Sequence, residues 1–219
     1  MDKYSKVTHI YKLSEIPKRN YMKQYLILFL VIFGCENVNE KENSNVSSSN
    51  IVSIDDVLIN NKKILLTLHE FNQIVTQIDS TKTTLRECGN PFEWLDKQWM
   101  ENRYGKYDET NGTFKNFDGK IKTLYVNDVE YDCNNHLVLF NKATTANNSF
   151  KIVSKNILLN ANTTIEQFQK YFPEIKLENL KEPNQFRFRL HIKQGNEDSF
   201  LFDFKNGKLQ SVTLWWLLC

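Results

Sequence analysis

Glycine and histidine are scarce in this chain, which has seven glycines and four histidines among its 219 residues. Loops that wrap phosphate groups need several glycines close together, because their backbone amides must approach the ligand. Histidine is the most frequent general base and a common metal ligand, so its scarcity limits both kinds of site. The composition therefore argues against a nucleotide-binding loop, and we predict no cofactor and no metal.

A strong excess of positive charge is also lacking, since the formal net charge of the whole chain is only +2. Residues 1–21 hold five Lys or Arg and two acidic residues, and Lys23 adds one more positive charge. The part that begins at Cys35 therefore carries a net charge of −2. A protein that binds nucleic acid normally has a basic patch, so we predict no nucleic-acid partner.

The chain has one long apolar run, residues 25–33, which is too short for a membrane span. A helix of this run would cover roughly 15 Å, about half of the hydrocarbon core of a bilayer. Met22 and Lys23 precede the run, and Gly34 and Cys35 follow it. A basic start, an apolar middle and a small residue at the end are the parts of a secretory signal peptide. The alternative interpretation of the run is a buried core helix.

The end of this run resembles the lipobox of bacterial lipoproteins, with Ile32 as the apolar residue, Gly34 as the small one and Cys35 directly after it. The resemblance implies that Cys35 becomes the acylated first residue of the mature protein. It also implies a membrane-anchored lipoprotein of the bacterial cell envelope, and we favour the outer over the inner membrane.

Four segments follow from this assignment. Residues 1–21 are predicted to be an upstream extension, with Met22 as the true start, and the alternative is that they form a long, basic start of the signal peptide. Residues 22–34 are the predicted signal peptide. Residues 35–50 are polar and lack aromatic side chains, which is typical of a disordered tether. Residues 51–219 are long enough for one globular domain with its own core.

The domain begins with a predicted strand pair, residues 57–59 and 64–66, joined by a turn at residues 60–61. Thr67 and Glu70 then form the pattern of a capping box at the start of a helix. The predicted core face of this helix consists of apolar residues spaced by three or four positions. These are Leu68, Phe71, Ile74, Val75 and Ile78.

A second helix is predicted from Asn90 and Pro91 to Gly105, because these residues suit its two ends. Strands follow at residues 122–126, 129–133 and 137–140, and Asp118-Gly119 before them is a favoured pair for a hairpin turn.

The pattern then recurs. Residues 152–159 repeat residues 59–66 at an offset of 93, and Thr164 with Gln167 repeats Thr67 with Glu70 at an offset of 97. Alternating apolar residues continue to the end of the chain. We predict an α+β fold of two units, each a strand pair, a helix and an antiparallel meander, with helices packed on one face of the sheet. Repeat one covers about 55–145 and repeat two about 150–219.

This helix-and-meander arrangement, with Asp-Gly or Asn-Gly turns at residues 118–119 and 206–207, resembles two known groups. One is the tandem repeat of β-lactamase inhibitor protein, and the other is the single repeat of small lipoproteins in the outer-membrane assembly machinery. Neither group brings a catalytic residue to this chain. Both resemblances imply binding to another protein.

Three cysteines remain once Cys35 is acylated, so one disulfide at most can form among them in an oxidising compartment. We predict a bond between Cys88 and Cys219, and the alternative is a bond between Cys88 and Cys133.

Catalysis and metal binding have weak support in the sequence. Cys88 and His136 could be combined with Asp132 or Asn90 into a nucleophile, a base and an orienting group, but no family signature accompanies them. Cys133 and His136 have a spacing seen in zinc sites, but there is no second pair of ligands.

The tryptophans are the candidate interaction patch. Trp94 lies beside the apolar stripe of the second helix, where we expect it at the edge of the core or in contact with a partner. Trp215 and Trp216 point to opposite faces of the last strand. We expect both to be buried, and an uncovered face would be a partner site.

The function predicted from these features is that of a lipid-anchored envelope protein of non-enzymatic binding or scaffold type, with the membrane and an unknown protein as partners. A first alternative is an immunity or inhibitor protein that blocks a toxin or hydrolase. A second alternative is an extracytoplasmic hydrolase.

Overall fold

The computed structural model of the protein describes residues 51–86, 89–193 and 197–218. These residues form four α-helices and fifteen strands, most of them in one large antiparallel sheet. The fold is therefore α+β, as the sequence predicts. No helix in the described ranges has the length and apolar character needed to cross a membrane.

The secondary-structure elements are numbered in chain order. The helices are α1 (Leu68–Ile74), α2 (Phe92–Leu95), α3 (Lys97–Tyr104) and α4 (Ile165–Tyr171). The strands are β1 (Val57–Ile59), β2 (Lys62–Lys63), β3 (Leu65–Thr67), β4 (Ser80–Leu85), β5 (Tyr107–Asp108), β6 (Thr113–Phe114), β7 (Lys120–Val126), β8 (Val129–Cys133), β9 (Leu137–Thr144), β10 (Phe150–Ile152), β11 (Ile157–Leu159), β12 (Glu178–Asn179), β13 (Gln185–His191), β14 (Ser199–Lys205) and β15 (Lys208–Trp215).

Eight strands of the large sheet follow the order β12-β13-β14-β15-β9-β8-β7-β4, and β3 adds a ninth by pairing with β9. Strands β9 and β15 meet at the centre, where Ala143 pairs with Val212. A smaller sheet has the order β11-β10-β1-β2, and its central pairing joins Val57 to Ile152. Both sheets thus join a segment before residue 145 to a segment after it.

Three hairpins have two-residue turns in which both central residues have positive φ, as a type I′ turn requires. These residues are Asn60-Asn61, Asn127-Asp128 and Asn206-Gly207. The predicted turn at residues 60–61 is confirmed.

The predicted hairpin turn at Asp118-Gly119 is wrong, because β7 pairs with β4 on one side and β8 on the other. The peptide of Gly119 instead lies against the end of β4, where its oxygen accepts a hydrogen bond from the backbone N–H of Arg86 at 2.7 Å. A Cβ atom at Gly119 would lie 2.9 Å from the carbonyl oxygen of Arg86, so glycine is required by this close approach.

Both predicted capping boxes are present, at the starts of α1 and α4. The backbone N–H of Glu70 donates to the Thr67 hydroxyl at 3.1 Å, and the Glu70 carboxylate accepts from the Thr67 N–H at 2.8 Å. Thr164 and Gln167 repeat these two bonds at the start of α4. The predicted core face of α1 is only partly correct: Phe71 is buried, but Ile74 and Ile78 are about two-fifths exposed. Helix α1 ends at Ile74, so helical spacing no longer places Ile78 on the inner face.

The single helix predicted between Asn90 and Gly105 is two helices. Asp96 has φ −150° and ψ 60°, which breaks α2 from α3, and its side chain accepts a hydrogen bond from the N–H of Trp99. Gly105, with φ 85°, ends α3 as predicted.

The core lies on one face of the large sheet and is rich in phenylalanine. Phe71 of α1 contacts Tyr131 of β8 with ring centroids 5.2 Å apart, and Phe168 of α4 stacks on Phe188 of β13 at 4.7 Å. The small sheet packs against the same core, since the ring of Phe150 on β10 lies 5.7 Å from that of Phe140 on β9.

Candidate binding sites

The three tryptophans of the predicted patch have different surroundings. Trp94 projects from α2 and is 74% exposed, so the expected position at the core edge is wrong. Trp216 is half-buried and packs against the core. Trp215 is also half-buried, and the guanidinium of Arg189 lies 4.8 Å from its ring centroid. Of the three, Trp94 is therefore the side chain that is available for contact with another molecule.

The last described residues of the chain lie against the start of α2. Around the position that a Cβ atom of Gly89 would occupy, Leu218 Cβ lies at 3.3 Å and the Glu93 carboxylate at 3.1 Å. Burial raises the pKa of Glu93, although a hydrogen bond from the backbone of Asn90 opposes this rise. The C-terminal segment is thus held close to the helix that carries Trp94.

A shallow cavity of about 700 Å³ adjoins this contact and is lined in part by Leu85 and Leu218. Leu85 is 70% exposed and Leu217 is 45% exposed. We call Leu85, Trp94, Leu217 and Leu218 the C-terminal surface. Leu85 and Leu218 line the same cavity, and exposed large apolar side chains such as Leu85, Trp94 and Leu217 are typical of protein interaction sites.

A second cavity, of about 420 Å³, lies between α1, α3 and the first strands of the meander. We call it the basic cleft, because its charged lining side chains are all cationic among the residues that the structure describes. These are Arg103, Lys120 and Lys122. Its polar lining includes four asparagine residues, and its apolar lining comes from both helices and from β7. The asparagines are Asn72, Asn90, Asn134 and Asn135.

Helix α3 positions Arg103 by stacking. The Arg103 guanidinium lies 5.8 Å from the ring centroid of Trp99 and 5.2 Å from that of Tyr104. The interaction with Tyr104 raises the pKa of Arg103, so the guanidinium stays charged. The Tyr104 hydroxyl in turn donates to the backbone oxygen of Lys120 at 3.4 Å, which ties α3 to the first residue of β7.

Cys133 also lines the basic cleft, as a buried free thiol. Burial raises its pKa, and the charge of Lys122 only partly opposes this effect. A protonated thiol is a weak nucleophile, so Cys133 lacks the activation that a catalytic cysteine needs.

His136 and Asp132, the described members of one alternative catalytic trio, each have another partner. His136 Nδ1 is 2.8 Å from the carboxylate of Asp96. Asp132 is buried and paired with Arg86, and it accepts a further hydrogen bond from the Thr123 hydroxyl at 3.1 Å. Cys88 lies outside the described residues. The described residues also contain no group of three His, Cys, Asp or Glu side chains that could hold a metal ion, so the zinc alternative gains no ligands.

The predicted disulfide between Cys88 and Cys219 and the acylation of Cys35 concern residues outside the described ranges, and both stay predictions. A Cβ atom at Gly89 would lie 3.3 Å from Leu218 Cβ, so the sequence neighbours of the two cysteines lie close together. Cys133 is a free thiol, so the alternative bond to Cys88 is not formed in this structure.

Comparison with known proteins gives no assignment. No protein-family model matches the chain, and no curated protein or solved structure matches it. The function must therefore be argued from the sites themselves.

Proposed function

We propose that the protein is a lipid-anchored, non-enzymatic protein of the bacterial cell envelope that binds another protein through its C-terminal surface. The lipobox ending at Cys35 and the polar tether of residues 35–50 support the anchor. The observation that carries the binding role is the 74% exposure of Trp94.

The energy available at Trp94 is large enough for a binding hot spot. A tryptophan buries about 200 Å² when it is fully covered, and about three-quarters of that area is still open here. At about 25 cal/mol per Å², the gross gain from covering it is about 4 kcal/mol, before the entropy costs of association are subtracted. Tryptophan is also among the residues most enriched at the energetic centres of interfaces.

We further infer that the domain consists of two copies of one unit. In support, each half has a hairpin, a capped seven-residue helix, one strand and a three-stranded meander, in that order. Both sheets also have matching strands on the two sides of a central pair. Outward from β9–β15, the large sheet has β8, β7 and β4 on one side and β14, β13 and β12 on the other. Outward from β1–β10, the small sheet has β2 on one side and β11 on the other. In this alignment Asn206-Gly207 corresponds to the β8–β9 turn, and not to Asp118-Gly119 as the sequence suggested.

The first half has strand β3 before its helix, which the second half lacks, and a long insertion, residues 86–119, between β4 and β7. The insertion contains α2, α3, β5 and β6, whereas residues 180–184 alone join β12 to β13 in the second half. Trp94 belongs to this insertion. An added segment on a repeated scaffold is a reasonable place for a specific binding function, because it changes the surface without disturbing the shared core.

Photo-crosslinking in the native host tests the proposal. A photoreactive phenylalanine analogue placed at Trp94 should form an adduct with one envelope protein. The matched control is the same analogue at Leu158, which is 56% exposed on β11 in the other half. Equal adducts at both positions, or none at Trp94, would contradict a binding role for the C-terminal surface. A toxin or hydrolase as the captured protein would identify the protein as an inhibitor or immunity protein.

A further inference from the structure

We propose that the basic cleft is a binding site for a small organic oxyanion, a molecule that presents a carboxylate or phosphate group. The cleft lies between α1 and α3, and none of its lining residues belongs to the C-terminal surface. This inference therefore goes beyond the proposed function and does not depend on it.

The charge of the lining is the first argument. Arg103, Lys120 and Lys122 line the cleft, and the described residues contribute no carboxylate to that lining. Asp118 pairs with Lys120 at 3.4 Å, and its charge also acts on Arg103. Lys122 is exposed and has no ion pair among the described residues. Three cations against this one carboxylate leave a net excess of positive charge in one concave site, in a chain whose part from Cys35 onward carries a net charge of −2.

The second argument is an unused hydrogen-bond donor in the wall. Asn90 is 1% exposed, and its Oδ1 accepts a hydrogen bond from the N–H of Phe92 at 2.9 Å. Its Nδ2 has no hydrogen-bond partner among the described residues. Buried polar groups are nearly always paired, and an unpaired donor beside three cations suits a ligand oxygen.

Another buried asparagine of the cleft, Asn134, has no unpaired side-chain donor. Asn134 is also buried, but its Oδ1 accepts from the N–H groups of His136 and Leu137, and its Nδ2 donates to the Asp96 carboxylate at 3.0 Å. Asn134 is thus fully used in holding the β8–β9 turn. Of the two buried asparagines in the lining, Asn90 is the one whose Nδ2 is unpaired among the described residues.

The volume and the apolar lining of the cleft limit the size and the chemistry of the ligand. A volume of about 420 Å³ is near the lower end of the range for small-molecule sites. Leu68, Trp99 and Leu124 supply an apolar part of the lining. A compact molecule with one or two anionic groups and a short carbon skeleton matches this combination of charge, amides and apolar surface.

Helix α3 adds Arg103 to the two lysines that β7 contributes to the cleft. Helix α3 brings Arg103 and Trp99 to the face of β7 that carries Lys122. The second half has no corresponding helix after β12 among its described residues. We therefore expect one such site per chain.

Isothermal titration calorimetry on the whole mature protein tests the site, with citrate and inorganic phosphate as probes at constant ionic strength. At least one probe should bind saturably at one site per chain, and matched additions of KCl should give no signal. Lys122→Gln and Arg103→Gln should each weaken binding by about tenfold or more, as expected for loss of a charge-assisted hydrogen bond. Lys170→Gln, an exposed charge on α4, should leave the affinity unchanged.

Arg103 stacks on two rings, so its replacement could disturb α3, whereas Lys122 is exposed and tests the charge alone. A tetraglutamate peptide distinguishes a free ligand from a partner's carboxylates: tighter binding of citrate or phosphate indicates a free small anion, and tighter binding of the peptide indicates a partner's side chain. Absence of saturable binding by all three probes, or equal affinity in wild type and Lys122→Gln, would overturn the proposal.

Discussion

Replacing Arg86 by methionine should destabilise the domain far more than an ordinary surface substitution. Arg86 forms an ion pair with Asp132, whose side chain is only 2% exposed, while that of Arg86 is 25% exposed. The Thr123 hydroxyl donates to the same carboxylate and contacts the Thr84 hydroxyl at 2.9 Å. The pair therefore connects the end of β4 to β8 across β7.

The size of the effect follows from what remains after the substitution. Removing one partner of a buried ion pair leaves an uncompensated charge and costs about 3–5 kcal/mol. Asp132 keeps the hydrogen bond from Thr123, so we expect about 3 kcal/mol at pH 7. Asp132→Asn should cost only about 1 kcal/mol, because the partly exposed Arg86 can be hydrated. The double variant should then show a coupling energy of about 2 kcal/mol.

The pH dependence of the loss gives a second signature. Burial raises the pKa of Asp132, and Arg86 opposes that rise, so the pKa should be higher still without Arg86. Because the pKa of Asp132 is raised in the folded state, ionising this carboxyl lowers the free energy of unfolding as pH rises. Protonating it restores that free energy as pH falls. The deficit of Arg86→Met should therefore shrink between pH 7 and pH 5.

Urea unfolding followed by tryptophan fluorescence measures these free energies. The matched control is Arg187→Met, since Arg187 pairs with Asp203 but both side chains are about one-quarter exposed. The control should cost less than Arg86→Met, because the more exposed Asp203 carboxylate can be hydrated when its partner is removed. Equal losses in the two variants, or a loss for Arg86→Met that does not depend on pH, would refute the reasoning.

Three further predictions follow from the described contacts. Thr67→Ala and Thr164→Ala should each lower the free energy of unfolding by about 1 kcal/mol in urea titrations, because each removes one capping box. Glu93→Gln should raise stability relative to wild type at pH 7 but not at pH 4, because burial raises the pKa of Glu93 and its charge is then costly; an equal effect at both pH values would contradict this. Cys219→Ser should lower stability by up to about 4–5 kcal/mol under oxidising conditions if Cys88 and Cys219 are bonded, and peptide mapping without reductant should show that bond in the wild type.

Local chemistry explains which elements could be predicted. The two capping boxes and the asparagine turns depend on a few adjacent residues, so Thr67 with Glu70 and Asn60-Asn61 are readable from the sequence. The meander strands were predictable because apolar residues alternate along them. The α+β class followed from these pieces.

Elements held by distant partners could not be predicted. Strand β4, Ser80–Leu85, has mostly exposed side chains and no apolar alternation, and it exists because β7 pairs with it along its whole length. The break at Asp96 was hidden because Phe92 and Met100 fit one continuous apolar stripe. This break changes the direction of the chain and leaves Trp94 in solvent.

The basic cleft was beyond the sequence for the same reason. Asn90, Arg103 and Lys122 lie on three different segments, and each is unremarkable alone. Only the packing of α3 against β7 brings them to one cavity. The tryptophans could be identified as candidates, but which of them is exposed depends on tertiary contacts.

The measurement that tests the central claim most directly is the intact mass of the protein from its native membrane fraction, wild type beside Cys35→Ala. The account predicts a wild-type chain that begins at Cys35 and carries added acyl mass, with that mass absent from the variant. An unmodified chain that keeps residues 1–34 would contradict the lipid anchor, and with it the assignment to the cell envelope.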